Sequence, residues 1–290
     1  MTRSTATLIG FTAVALWALL ALFTVATAPV PPFQLTAMAF AIGGIVGLIW
    51  LGVTGGFAQL ARVGWRVYVF GTLGLFGYHA FYFTALRLAP AAEAGLIAYL
   101  WPLLIVLFSG LLPGENLRAG HVIGALVSLA GAALILGGGL GGGGEGALLG
   151  YGFAMACALI WSGYSVLSRR LGATPTASVA VFCLATAALS ALAHVALEET
   201  VIPNGALGWA AVAGLGLGPV GLAFYTWDIG VKRGDIQLLG TASYAAPLLS
   251  TLALILAGMA EARRELLLAA ALITLGAVLA ARASRKPKDT

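Results

Sequence analysis

The chain has 290 residues, 61% of them apolar and only 9% charged, with 15 Lys and Arg against 10 Asp and Glu. A soluble domain carries roughly 25% charged residues, so this composition, with a mean hydropathy of +1.01, excludes one and places the chain in lipid. The positive excess shows no clustered basic and aromatic footprint for nucleic acid, and it is read instead as a membrane-topology signal.

Apolar runs of about 20 residues, each long enough to cross about 30 Å of hydrocarbon as a helix, follow one another almost without pause. Ten helices are expected, at roughly 7–28, 33–53, 65–86, 92–112, 119–140, 147–168, 176–197, 207–231, 236–258 and 265–283. The runs are continuous rather than alternating, which excludes a strand-built barrel. Ala26-Thr27-Ala28 imitates a signal cleavage site, but its apolar stretch is long and Pro29 stands where the cut would fall, so the first helix is read as retained. Cys157 and Cys183 fall in separate helices without metal-ligand spacing, and packing roles are expected; no metal site and no cofactor is implied.

With ten helices both ends share one side. If that side is cytoplasmic, Arg3, Arg62, Arg66, Arg118, Arg169, Arg170, Lys232, Arg233, Arg282, Arg285, Lys286 and Lys288 lie inside, and only Arg87, Arg263 and Arg264 lie outside. Sliding the chain by about 145 positions superposes Gly95 on Gly240, Tyr99 on Tyr244, Pro102-Leu103-Leu104 on Pro247-Leu248-Leu249, and Gly131 on Gly276. Half the chain is five helices, an odd number, so the two halves are expected to run in opposite directions through the membrane. The expected organisation is an all-α polytopic membrane protein of two inverted five-helix repeats around a central cavity. Residues 1–140 form the first repeat, 141–146 a glycine-rich outer linker and 147–290 the second repeat.

Gly/Pro-interrupted helices at matched positions of two repeats mark a midplane site in transporters. Pro102 and Pro247 are therefore expected to act as hinges, freeing the carbonyls of Ala98 and Ser243. Gly71, Gly74 and Gly77 on the third helix, and Gly214, Gly216, Gly218, Pro219 and Gly221 on the eighth, allow close packing or bending. Mid-depth aromatic residues need partners for their polar hydrogens and face protein or water. Trp17, Phe81 and Tyr164 are among them, and the expected substrate-binding set is Tyr78, His79, Tyr82, Tyr99, Trp101, Trp161, Ser243 and Tyr244. His79 is the clearest ionisable group at depth; Asp228 lies one turn from Lys232, where an ion pair satisfies it, and Glu93 and His194 fall near outer helix ends, where solvation is expected.

The ten-helix duplication, the Leu-Ile-Trp-Ser-Gly-Tyr-Ser-Val-Leu-Ser-Arg-Arg stretch at 159–170 and the Pro-Leu-Leu segments at Pro102 and Pro247 resemble the EamA-type drug/metabolite transporter superfamily. Within it the chain is most similar to the YddG-type aromatic amino acid exporters of bacterial inner membranes. Trp17 is followed by Ala18-Leu19-Leu20 where the superfamily usually carries Gly-Ser/Ala-Asn. The resemblance implies export of aromatic amino acids or related metabolites through a cavity between the halves, with the lipid bilayer as the other partner. Flat cationic compounds, or amino acids in general, are the alternative cargo. An intramembrane hydrolase would need a nucleophile and base at depth, and Ser109 has no Gly-x-Ser-x-Gly setting. An ion channel would show repeated polar rings on oligomerising helices.

Overall fold

A computed structural model of the chain describes residues 1–136, 147–261 and 264–284; the glycine-rich linker and the repeat boundaries beside it lie outside the described residues. Ten apolar helical spans are present: span 1 (Arg3–Ala26), span 2 (Pro32–Thr54), span 3 (Trp65–Leu88), span 4 (Ala91–Ser109), span 5 (Ala119–Leu136), span 6 (Ala147–Arg170), span 7 (Ser178–Leu197), span 8 (Gly205–Arg233), span 9 (Ile236–Leu256) and span 10 (Glu265–Ser284). Their ends match the expected ones to within a few residues. Among the described residues no strand is present.

The strongest helix contacts are 5 with 10, 2 with 7, 1 with 8 and 3 with 6. Exchanging each span for the one five places along turns these four into themselves. The same symmetry is visible in single residues. A Cβ built on Gly131 would stand 2.9 Å from the Ala269 carbonyl, and one built on Gly276 would stand 2.3 Å from the Gly124 carbonyl, so two equivalent close crossings seal spans 5 and 10. Between them Ser128 donates to the carbonyl of Ile273, a partner exactly one repeat offset away, at 3.3 Å. Small residues at these crossings let the backbones meet where lipid supplies no hydrophobic drive for association.

Each end of the bundle carries its own polar network. At the end that holds both described termini, Arg169 donates to the carbonyls of Val231 (2.8 Å) and Gly234 (2.9 Å) and pairs with Glu115. Arg3 reaches Glu115 at 3.1 Å and Asp235 at 3.6 Å, and Arg118 donates to the Ala283 carbonyl. One turn deeper, Lys232 and Asp228 form the expected ion pair at 2.8 Å, with Thr176 donating to the same carboxylate at 2.7 Å. At the opposite end Glu198 accepts from the backbone N–H groups of Phe33 and Gln34 and from Arg87. His194 bonds Glu198 at 3.1 Å and Thr200 at 2.9 Å and is only 8% exposed, so the expectation of a solvated histidine is corrected. The reason is that Glu198 gathers partners from spans 2, 3 and 7, which buries the imidazole beside it.

Packing density differs between the ends. In span 9 the Ile236–Ala242 segment buries Ile236, Gln237, Leu239, Gly240 and Thr241, whereas Ala245–Leu256 buries only Ala246 and Pro247. Span 3 buries only Ala85 beyond Leu75. Along spans 3 and 9 the buried positions therefore concentrate in the half nearer the arginine-rich end.

Candidate functional site

Four spans depart from a continuous helix, and all four meet at the centre. Spans 4 and 9 each consist of two helices, Ala91–Ala98 with Trp101–Ser109 and Ile236–Ala242 with Ala245–Leu256, broken just before their prolines as expected. Span 8 passes through a π-helical segment, Gly218–Leu222, before continuing as Ala223–Arg233. Span 1 breaks between Arg3–Trp17 and Leu20–Ala26. These last two irregularities are joined: the indole N–H of Trp17 donates to the Pro219 carbonyl at 3.1 Å. A π turn leaves carbonyls poorly paired, and here a tryptophan from another span occupies one.

The two proline breaks are alike in sequence and unlike in chemistry. In span 4, Pro102 offers no N–H to the Ala98 carbonyl, and the N–H of Leu103 is taken across the repeat interface by the Tyr244 hydroxyl at 3.1 Å. The Tyr99 carbonyl, the regular partner of that N–H, is thereby released. In span 9 the turn before Pro247 makes backbone bonds of its own. Ser243 N–H reaches the carbonyls of Leu239 (3.0 Å) and Gly240 (3.2 Å), Tyr244 N–H reaches Thr241, and Ala246 N–H reaches the Ser243 carbonyl at 3.1 Å. The Ser243 carbonyl expected to be free is thus occupied, a correction that follows from the tight turn preceding Pro247.

Around the breaks lies a continuous aromatic cluster. Trp17, Trp101, Trp161 and Trp227 come from spans 1, 4, 6 and 8, with ring centroids 5.0 to 6.3 Å apart and mostly edge-on. Span 3 adds Tyr78 and Tyr82, stacked at 6.1 Å, and Tyr78 lies 5.5 Å from Trp161. Tyr99 packs 6.3 Å from Trp101. His79 sits against Phe40 at 5.0 Å and Phe224 at 6.4 Å, and its Nδ1 bonds the Leu75 carbonyl at 2.7 Å.

The structure thus brings Tyr78, His79, Tyr82, Tyr99, Trp101 and Trp161 together as one surface. Tyr78, His79, Tyr82 and Tyr99 are partly accessible, while Trp101 and Trp161 are almost covered. Ser243 and Tyr244 do not join that surface: both are 0% exposed, the Ser243 hydroxyl donates to the Leu239 carbonyl at 2.8 Å, and the Tyr244 hydroxyl is engaged by Leu103. Trp227 and Phe224, outside the expected set, form the buried floor, and Trp227 fixes itself by donating to the Ser165 hydroxyl at 3.1 Å. The sequence signal for them is the Gly/Pro density of span 8, which marks backbone irregularity beside them. Phe81, expected on the same face as Tyr78 and Tyr82, instead stacks on Phe153 at 5.4 Å.

Comparison with known proteins follows this geometry. The EamA-like transporter family matches the chain twice, over residues 4–137 and 148–282. The chain is 58% identical over 288 residues to the aromatic amino acid exporter YddG of Ancylobacter novellus, covering 99% of this chain and 100% of that protein. It is 27% identical to the proteins of the same name in Salmonella typhimurium and Escherichia coli, covering 87% of this chain and 88% of each. A solved crystal structure, 58% identical, superposes with a TM-score of 0.93 over 99% of this chain and 100% of the other. Two family-length matches, one for each group of five spans, and near full-length similarity lead to one conclusion: the chain belongs to the EamA-like transporter family.

Proposed function

We propose that the chain exports aromatic amino acids across a bacterial inner membrane by alternating access between two inverted five-helix repeats. The observation that carries this reading is the aromatic surface at the meeting point of four irregular spans, in a chain 58% identical to a protein named as an aromatic amino acid exporter. Rings prefer offset or edge-on neighbours, and the accessible faces of Tyr78, Tyr82 and Tyr99, backed by the nearly covered Trp101 and Trp161, supply such neighbours to a substrate ring. The released backbone of span 4 supplies polar partners beside them, in the manner of transporters with discontinuous helices.

The arginine-rich end is assigned to the cytoplasm, because Arg3, Arg62, Arg66, Arg118, Arg169, Arg170, Lys232, Arg233 and Arg282 gather there while Arg87 and Arg264 lie at the other end. The chain acts as a carrier and makes or breaks no covalent bond. Tyr78, His79, Tyr82, Tyr99, Trp101 and Trp161 contact the substrate, whereas Ser243 and Tyr244 hold the breaks in shape. Pro102 and Pro247 are the hinges.

The test is efflux of labelled phenylalanine, threonine and a flat cationic dye from proteoliposomes, with and without a proton gradient. Phenylalanine moving faster than the other two supports the reading. Threonine moving fastest would replace it with a general amino acid exporter, and dye moving alone would assign the aromatic surface to multidrug efflux.

A further inference from the structure

Resting on the proposed function, we infer that the central surface reads the two ends of an amino acid separately: His79 Nε2 accepts a hydrogen bond from the α-ammonium, and the indole N–H groups of Trp101 and Trp161 donate to the α-carboxylate. A carbonyl only accepts, so the 2.7 Å bond from His79 Nδ1 to the Leu75 carbonyl requires the proton on Nδ1. The ring is surrounded by Phe40, Tyr78, Phe83 and Phe224, none of which stabilises an imidazolium as a carboxylate would. Neutral His79 therefore presents Nε2 as a lone pair, an acceptor and nothing else.

The tryptophans divide in the same way. Trp17 spends its N–H on the Pro219 carbonyl and Trp227 spends its own on Ser165. Trp101 and Trp161 have no acceptor among the described residues, nor does His79 Nε2 have a donor. Sealed polar atoms without partners do occur in the bundle, at Ser178, Thr186, Ser190 and Gln237, but these ring nitrogens are not among them and reach accessible space. Tyr78 lies between the acceptor and donor sides, its ring 5.2 Å from His79 and 5.5 Å from Trp161, and the substrate ring is assigned to Tyr82 or Tyr99. Recognition of the ammonium by an imidazole lone pair needs no fixed carboxylate, and Asp228, held by Lys232 and Thr176, is not required.

The test is equilibrium binding of labelled phenylalanine and labelled 3-phenylpropionate, which lacks the ammonium, to purified full-length protein in detergent. The parent protein is expected to prefer phenylalanine by at least about tenfold, the size of one charge-assisted bond. His79→Phe, which keeps an aromatic plane and removes the acceptor, should weaken phenylalanine about tenfold and leave phenylpropionate unchanged. His79→Gln, which restores an acceptor, should recover part of the loss. Comparing ratios between ligands cancels any general effect of the substitution on folding. Equal weakening of both ligands by His79→Phe, or a parent protein that binds both equally well, would overturn this assignment alone. A parent protein that binds neither ligand and moves no aromatic amino acid would overturn the functional reading and this assignment with it.

Discussion

The hydroxyl of Tyr244 reaches from span 9 to the backbone at the span 4 break, and replacing it by Phe isolates that contact. Tyr244 is fully buried and its oxygen accepts from Leu103 N–H at 3.1 Å, one residue past Pro102. Tyr244→Phe keeps the ring and its packing. If the break persists, a backbone N–H is stranded in a dry interior, at a cost of about 1–3 kcal/mol. If the backbone instead tightens so that Leu103 N–H reaches the Tyr99 carbonyl, one ordinary bond worth about 0.5–1.5 kcal/mol returns, and the carbonyl offered to cargo is lost. Either way, a shift of about 1.4 kcal/mol changes a conformational population tenfold. The measurements are thermal unfolding in detergent and phenylalanine efflux from proteoliposomes, with Tyr99→Phe as the comparison, since no described residue bonds the Tyr99 hydroxyl. Lower melting with slowed transport is expected when the break persists, and unchanged melting with slowed transport when it closes. A Tyr244→Phe protein that matches the parent in both measurements would refute the reasoning.

Four further outcomes follow from the same geometry. Pro102→Ala restores a donor for the Ala98 carbonyl and should keep or raise stability while slowing efflux, whereas Pro247→Ala should have a smaller effect because the Ser243 carbonyl is already paired; equal effects in an efflux assay would remove the distinction between the breaks. Trp101→Ala should weaken phenylalanine and tryptophan transport several-fold, each aromatic contact contributing about 0.5–1.5 kcal/mol beyond area burial, and should affect threonine less in parallel uptake measurements. Arg169→Ala removes the bonds to Val231, Gly234 and Glu115 and should raise thiol labelling of a Val231→Cys reporter from the arginine-rich end in inverted vesicles. For topology, an impermeant thiol reagent on intact cells should label Glu199→Cys and spare Gln59→Cys; the reverse pattern would turn the protein over.

Span number and position were legible because a membrane helix must be a long uninterrupted apolar run, and nothing else in such a chain competes with that signal. The breaks in spans 4 and 9 were legible through Pro102 and Pro247, but their inequality was not. It depends on which distant hydroxyl reaches Leu103, a tertiary fact absent from either segment. The break after Trp17 has no proline or glycine in Ala18-Leu19-Leu20 to announce it; its visible partner is the Pro219 carbonyl about two hundred positions away. For the same reason Ser243 looked like a ligand group and proved a helix patch, since a serine at a kink bonds its own preceding turn as readily as a substrate. The aromatic set was read from depth alone. Depth gathers rings that meet in space but does not say which polar hydrogens the protein has already used.

The seam of spans 5 and 10 has the logic of a twofold dimer interface folded into one chain. The Gly131–Ala269 and Gly276–Gly124 approaches are one contact made twice, and Ser128 meets its own repeat counterpart at the centre. Such an isologous surface is complementary to itself, so its residues are constrained in both copies at once. Away from the seam the two halves differ: the Leu103 N–H of span 4 goes to the Tyr244 hydroxyl across the bundle, whereas the Ser243 carbonyl of span 9 is paired within its own turn. The internal likeness of the two halves gathers on the same kind of residue, a few glycines, prolines and a tyrosine.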